Sequence, residues 1–297
     1  MTRKGFEAMD GKDQKPKNTI HLTIIWRRFK KSRIAVLGLF IVALYLAIAV
    51  VGPYITPHNP FSQNLSKAFA PISLSHPFGC DEFGRDIFSR IIYGARVSLI
   101  IQLNSVFIAL IVGVALGAAG GYFGGKLDEI IMRLMDIMLA FPGMLLALAI
   151  VAMLGPSMRN LIIAVGIYSI PQFARITRGS VLSVKQNEYV TAARAIGESD
   201  FSIIFLYILP NTLSPIIVQT TLRMATVLLT AAGLGFLGLG VQPPIPEWGA
   251  MLSSARMYLR AAPWVAIIPG LAIMITVMGF NFLGDGLQDA LNPRLKE

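Results

Sequence analysis

Four sets of residues in this chain could do chemistry by type and spacing. Gly120 to Lys126 (GGYFGGK) satisfies the first seven positions of a phosphate-binding loop, in which glycine amides cradle phosphate and the lysine pairs with it. The next position, where a Ser or Thr hydroxyl would hold magnesium, is Leu127, and an apolar run of helical character precedes the glycines. ATP binding on this chain is therefore rejected. Gly233 to Gly238 (GLGFLG) spells a dinucleotide fingerprint, yet no ribose-binding acid follows and no strand-helix unit surrounds it. Small residues that let apolar helices pack closely account for it. His21, His58 and His76 stand apart in dissimilar settings, so no metal site and no nucleophilic triad is expected from them. Arg223 is the last of the four. A guanidinium inside a span costs at least about 2.5 kcal/mol, so it must face a partner or a watery path.

The elements that carry these residues belong in lipid. The chain has 297 residues, of which 55% are hydrophobic and 14% charged, and its mean hydropathy is +0.64. That exceeds what a soluble domain can bury, so the bilayer must be the solvent for much of it. The net charge of +10 does not point to nucleic acid, because the basic residues flank apolar runs where they meet anionic headgroups. A single cysteine, Cys80, allows no intramolecular disulfide and no cysteine metal cluster. Residues 1–33 show no apolar stretch with a small-residue cleavage site, so the first membrane helix is expected to do the targeting.

Six spans are expected, with both termini cytoplasmic. Residues 1–33 read as a polar tail followed by an interfacial helix, and residues 34–96 as the first span, Ile34 to Ile55, plus an external loop. In that loop Asp81 to Arg96 reads as a short helix with Asp81 and Glu82 near its start. The loop is either a cap over a path or partner surface, or simply a packed connection. Residues 97–290 form the core. The second span is Val97 to Gly121, where Gly113, Gly117 and Gly121 share one helix face. Lys126, Asp128, Glu129 and Arg133 read as a short cytoplasmic turn, and the third span as Ile137 to Leu154. The fourth, Asn160 to Ala174, lies between Arg159 and Arg175 and must either snorkel those arginines or continue into the headgroups. The fifth span is expected at Asn211 to Leu239, an external helix at Glu247 to Arg260, the last span at Pro263 to Leu283, and a cytoplasmic tail at 291–297.

Between the fourth and fifth spans, Glu188 to Asn211 (EYVTAARAIGESDFSIIFLYILPN) is built to face water. Two helix-prone pieces meet at Gly197, which can enter the left-handed region freely, and Glu198, Ser199 and Asp200 offer N-cap chemistry for the second. Ala192, Ala193 and Ala195 offer a small-residue surface with Arg194 beside it, and Pro210 permits a bend on return to the bilayer. The stretch reads either as a docking knob or as an ordinary pair of interfacial helices.

Ala192-Ala193, the glycine four residues on, and Leu209-Pro210 resemble the cytoplasmic EAA loop of permease subunits of ATP-binding cassette importers. His76 to Leu99 (HPFGCDEFGRDIFSRIIYGARVSL) and Phe236 to Arg294 are similar to the dipeptide and oligopeptide permease family, C-type subunit, so that the resemblance covers roughly residues 30 to 295. Thr191 stands where the loop's name expects Glu, and Cys80 where the family usually has Thr.

The resemblance implies an all-α, six-span, type I importer permease with no catalysis of its own, in a bacterial or archaeal cell membrane. It implies a second homologous permease, two ATP-binding subunits that hold ATP and magnesium, an external solute-binding protein and a peptide cargo. Coupling to the ATPases would run through a loop at about 185–210, using Glu188, Ala192, Ala193, Arg194, Gly197 and Pro210. Arg194 would pair with an acid on the ATPase, and Arg223 would contact a peptide carboxylate or pair at the subunit interface. Glutathione or a nickel or other metal chelate are alternative cargoes in the same family. An ion-coupled carrier would need acids near the membrane midplane, and the spans carry none.

Overall fold

A computed structural model of the chain describes residues 25–291. The expected polar tail (Met1 to Asn18), the start of the expected interfacial helix and residues 292–297 of the expected cytoplasmic tail lie outside the described residues. Residues 25–31 are helical, and Ser32 then caps α1 (Arg33–Ile55), its hydroxyl accepting the Ala35 amide. α2 is Ile87–Phe123, α3 Gly125–Ala140, α4 Gly143–Leu154 and α5 Met158–Val184. α6 is Glu188–Ala195, α7 the continuous helix Asp200–Phe236, α8 Trp248–Ala255 and α9 Trp264–Leu291.

α2 starts earlier than the sequence suggests. Its 37 residues run unbroken from Ile87, about 55 Å at helical rise. No separate short helix precedes a span at Val97, because nothing between Ile87 and Phe123 breaks the backbone ladder. The N-cap is Asp86, whose Oδ2 accepts the Ser89 amide at 2.8 Å. Asp81 and Glu82 stay in the loop, where Asp81 accepts from Arg85 Nε at 2.6 Å and Glu82 lies 3.3 Å from the same guanidinium. Asp81, Arg85 and Arg90 are all buried, so the α1–α2 connection is a packed one. Burial raises the Glu82 carboxyl above the usual range, against the pull of Arg85 and Arg90.

α2 and α5 run side by side in the same direction. Gly113, Gly117 and Gly121 line the seam, as expected: a Cβ there would lie 2.5 Å from Phe173 Cβ, 2.3 Å from the Ala174 carbonyl oxygen and 3.0 Å from Val181, respectively. Parallel neighbours need a return path, which α3 and α4 supply. The third span is therefore not one helix from Ile137 to Leu154 but two helices meeting at 89° around Phe141-Pro142. The proline has no N–H to continue the ladder and disfavours helical geometry at the preceding residue. Asp128 pairs with Arg178, Asp136 with Arg175, and Gly143 packs on Tyr168, so α3 and α4 climb antiparallel along α5. Lys126, Asp128, Glu129 and Arg133 thus lie on a helix and not in a turn.

Among the described residues four single helices, α1, α2, α7 and α9, are long and apolar enough to cross a membrane, and the bent pair counts as a fifth where its two arms form one broken span. α5 is a 27-residue helix beside them. It resolves the choice posed by Arg175 by continuing as helix to Val184. α7 joins what looked like an interfacial helix to the fifth span, with a π-helical turn at Ile203–Ile208 just before Pro210. The widened turn places the Leu209 amide on the Ile204 carbonyl and lets a residue without N–H enter a continuous helix, so Pro210 marks no break. α9 continues past Leu283 to Leu291, which puts Asp285 and Asp289 on the helix.

α1 closes the bundle against α9, where Ala35 meets Gly286 and Gly38 meets Leu283. A polar clasp ties three helices inside the apolar core. Tyr45 Oη of α1 donates to Gln102 Oε1 of α2 at 2.6 Å, and Gln102 Nε2 donates to the Met224 carbonyl of α7 at 2.9 Å. In lipid these groups have no water to fall back on, so each must find a partner within the protein. The literal dinucleotide fingerprint is packing, as expected: Gly235 faces Glu247 and Gly249 of the α8 start, and Gly233 faces Met144.

Gly117→Leu should be the most damaging substitution along the seam. Overpacking against backbone, which cannot move aside as a side chain can, is expected to cost about 1–3 kcal/mol or more. Thermal unfolding in detergent should show a lowered midpoint or no folded monomer, whereas Gly179→Ala, on the facing helix α5 with open space around it, should be far milder.

Candidate functional site

The end of the bundle where α2 stops carries an elbow. α6 stops in a left-handed glycine cap: the Gly197 amide donates to the Arg194 carbonyl, the Glu198 amide to the Ala193 carbonyl, and Gly197 has φ +86°. Ser199 then caps α7, its hydroxyl accepting the Ser202 amide at 3.3 Å. This is the helix, turn and helix that the sequence suggests.

Tyr122, the penultimate residue of α2, holds the elbow in place. Its hydroxyl donates to Asp200 Oδ1, its backbone carbonyl accepts from Lys185 Nζ, and the Lys185 and Arg194 cations lie 5.5 and 5.6 Å from its ring centroid. Ala118 and Tyr122 of α2, Val181 of α5, Val190 and Ala193 of α6, and Ile203 and Ile208 of α7 form one apolar cluster beneath. Four helices therefore converge on a single aromatic ring. Next to it Arg178 makes a two-pronged pair with Asp128, reaching its second oxygen at 2.6 Å.

Glu188, Ala192, Arg194, Gly197 and Pro210 are exposed. Ala193 is not: at 4% exposure it faces the chain's own cluster, so the small-residue surface comes down to Ala192 and Ala195. On a helix of eight residues, neighbouring positions cannot share one face, and Val190 and Ala193, three apart, take the inner one. The Arg194 guanidinium is engaged by Tyr122, and that contact favours its charged form. The outward side also carries Ile196 and Phe201, 78% and 75% exposed, which the sequence reading passed over. Tyr122 and Lys185 were likewise missed. The signal for them was faint, because Tyr122 sits inside the rejected phosphate-loop string and Lys185 looks like one more cation of an inner loop.

Arg223 is half-buried on α7, between Leu222, which packs on Gly284 of α9, and Met224, which binds Gln102. Among the described residues it makes no hydrogen bond and no ion pair. A groove of about 500 Å³ between α2 and α7 is lined by residues such as Leu110, Val114, Phe205 and Leu213, and offers nothing to a charged ligand. His58 and His76 are not isolated. The α1–α2 connection folds back so that their rings lie 4.7 Å apart.

The description "binding-protein-dependent transport system inner membrane component" matches residues 105–297, and "N-terminal TM domain of oligopeptide transport permease C" matches residues 22–72. The chain belongs to the binding-protein-dependent transport permeases. This permease is 49% identical over 271 residues to the dipeptide transport system permease protein DppC of Alkalihalophilus pseudofirmus, covering 91% of this chain and 89% of the relative. It is 47% identical over 272 residues to the glutathione transport system permease protein GsiD of Pectobacterium atrosepticum, covering 91% and 90%. It is 46% identical over 277 residues to the di/tripeptide transport system permease protein DppC of Pseudomonas aeruginosa, covering 91% of each. Among solved structures, the inward-facing MetNI methionine ABC transporter is similar in fold, with a TM-score of 0.57 at 18% identity over 68% of this permease and 96% of that chain. The permease is thus a non-catalytic, multi-pass membrane subunit with the fold of type I importer permeases.

Tyr122→Phe should loosen the elbow and leave the bundle intact. Losing a hydrogen bond to a carboxylate is expected to cost about 1.5–3 kcal/mol locally. Amide exchange across residues 188–202 should accelerate while exchange in α1 and α9 stays unchanged; uniform acceleration, or none, would show that the ring does not hold the elbow.

Proposed function

We propose that this permease is one of two homologous membrane subunits of an ATP-driven peptide importer, and that the elbow couples it to an ATPase subunit. The observation that carries the proposal is the combination of an outward face with exposed Ala192, Ala195, Ile196 and Phe201 and an inner face fastened to α2, α5 and α7. A segment held in this way moves with the helices it is fastened to. Docked in a groove on the ATPase, it would carry ATP-driven closure into the spans and turn an inward-open path outward. ATP and magnesium would stay on the ATPase subunits, and a solute-binding protein would deliver cargo at the far end.

Sidedness follows from charge. Arg27, Arg28, Lys30, Lys31 and Arg33 precede α1 at the same end of the bundle as Lys126, Arg133, Arg175, Arg178, Lys185 and Arg194, which favours a cytoplasmic elbow with the described ends of α1 and α9 on the same side. At the opposite end Arg85 and Arg90 are buried in ion pairs with Asp81 and Glu82.

Peptide as the cargo class rests on the dipeptide and di/tripeptide permeases among the relatives. Glutathione, itself a peptide-like thiol, is the second reading, because a relative of nearly equal identity is a glutathione permease. Competition by unlabelled glutathione against labelled dipeptide uptake in cells carrying the whole operon separates the two. We place Arg223 at the seam with the second permease, since it has no partner among the described residues. Arg223→Glu should then reduce recovery of the two-permease complex; normal recovery with lost uptake would move Arg223 to the cargo path instead.

Gly197 provides the decisive experiment. No neighbour lies within 4 Å of an added Cβ, so a side chain there meets no clash, but φ +86° costs a β-branched residue roughly 1–2 kcal/mol or more. Gly197→Val is expected to abolish cargo-stimulated ATP hydrolysis by the assembled complex, while Gly197→Asn, which tolerates the left-handed region, retains most of it. Full coupling in an assembled Gly197→Val complex would refute the elbow's role.

A further inference from the structure

The connection between α1 and α2, at the end of α2 opposite the elbow, gathers side chains that are distant in sequence. His58 follows α1, His76 lies midway along the connection, and Asp86 caps α2. One ligating atom from each lies within 4.8 Å of those of the other two. Asp86 divides its carboxylate between two tasks: Oδ2 accepts the Ser89 amide, and Oδ1 faces His76 Nδ1 at 3.0 Å. His58 Nε2 donates to the Ser75 carbonyl at 2.8 Å, the kind of outer contact that orients a ligating imidazole. His76 and Asp86 are buried and His58 is half-buried, so water reaches the cluster past His58.

A fourth residue fixes the proton. Lys67 Nζ lies 3.2 Å from His76 Nε2, and an ammonium can only donate. Nε2 therefore accepts, and Nδ1 carries the hydrogen given to Asp86. That proton sits between two atoms 3.0 Å apart, close to the roughly 3.3 Å that separates neighbouring nitrogen and oxygen ligands about 2.0–2.1 Å from a tetrahedral ion.

We propose that His58, His76 and Asp86 form a binding site for one borderline divalent cation of the zinc type. The cation takes the place of the proton between Nδ1 and Oδ1, the imidazole carries its hydrogen on Nε2 instead, and Lys67, exposed on a flexible stem, swings away. Two imidazoles and one carboxylate suit zinc and disfavour magnesium or calcium, and three protein ligands leave a fourth position for water. The bound ion joins the start of the connection, its middle and the cap of α2, and so staples the packed loop to the bundle.

The site can be tested on the purified full-length chain in detergent, stripped of metal with a chelator and titrated with zinc near neutral pH by calorimetry. Stoichiometric binding is expected, weakened at least about tenfold by His58→Ala or His76→Ala. Lys67→Met should tighten it because the competing cation is gone. Zinc should also raise the thermal midpoint of the wild type and not that of His58→Ala. Should His76→Ala fail to fold, His58→Ala and Lys67→Met still decide the matter. Absence of zinc binding by the wild type, or binding that survives His58→Ala with His76→Ala, overturns the site; weaker binding by Lys67→Met overturns the displacement of Lys67.

Discussion

The backbone approach of α2 and α5 is the constraint on which the rest depends. With Gly113, Gly117 and Gly121 on the shared face, the two helices lie close enough for an added Cβ to overlap the opposite chain. In lipid no hydrophobic effect drives helices together, so such close dispersion contact must supply much of the attraction. The seam also sets the polar chemistry at the C-terminal ends of α2 and α5. It brings the α5 terminus within reach of α2 and α3, so that Lys185 meets the Tyr122 carbonyl and Arg178 meets Asp128. Separate the helices by the width of one side chain and both contacts are lost.

Several polar groups in the interior are placed where they can be satisfied. Within the bundle, Tyr45 and Gln102 satisfy one another and the Met224 carbonyl. At the α1–α2 connection Asp81, Arg85 and Arg90 are buried together. Glu247 is buried with no ion pair among the described residues and accepts the Gly249 and Ala250 amides at 2.9 and 2.8 Å, while burial still raises its carboxyl above the usual range. Its folded-state value lies above the unfolded one, so its contribution favours the fold most at low pH and declines as pH rises through the folded value. Arg223 departs from this pattern, which is why its partner is sought outside the described chain.

Much of the candidate site was legible. Gly197, the serine cap and the two helical pieces follow from local backbone chemistry, which depends on neighbours in sequence. The inward turn of Ala193 was not legible, because a run of three alanines in four positions reads the same on either face until the supporting cluster is known. Tyr122 escaped for a related reason: its partners, Lys185, Arg194 and Asp200, all lie more than sixty positions away. The three-span stretch from Val97 to Ala174 was misdrawn at Phe141-Pro142, where hydropathy continues smoothly while the backbone turns through 89°.

What the sequence determined by itself is what short-range physics controls: membrane residence, the glycine face of α2 and the helix-turn-helix elbow at Gly197. Each depends on hydropathy, helical periodicity or the φ preference of a single residue. Tertiary structure decided which polar groups meet, from Tyr122 and its three partners to the pairing of His58 with His76 and Asp86. Those meetings depend on long-range closure of α1 on α2 and of α2 on α5, and no local pattern in the chain encodes the register at which two helices stop.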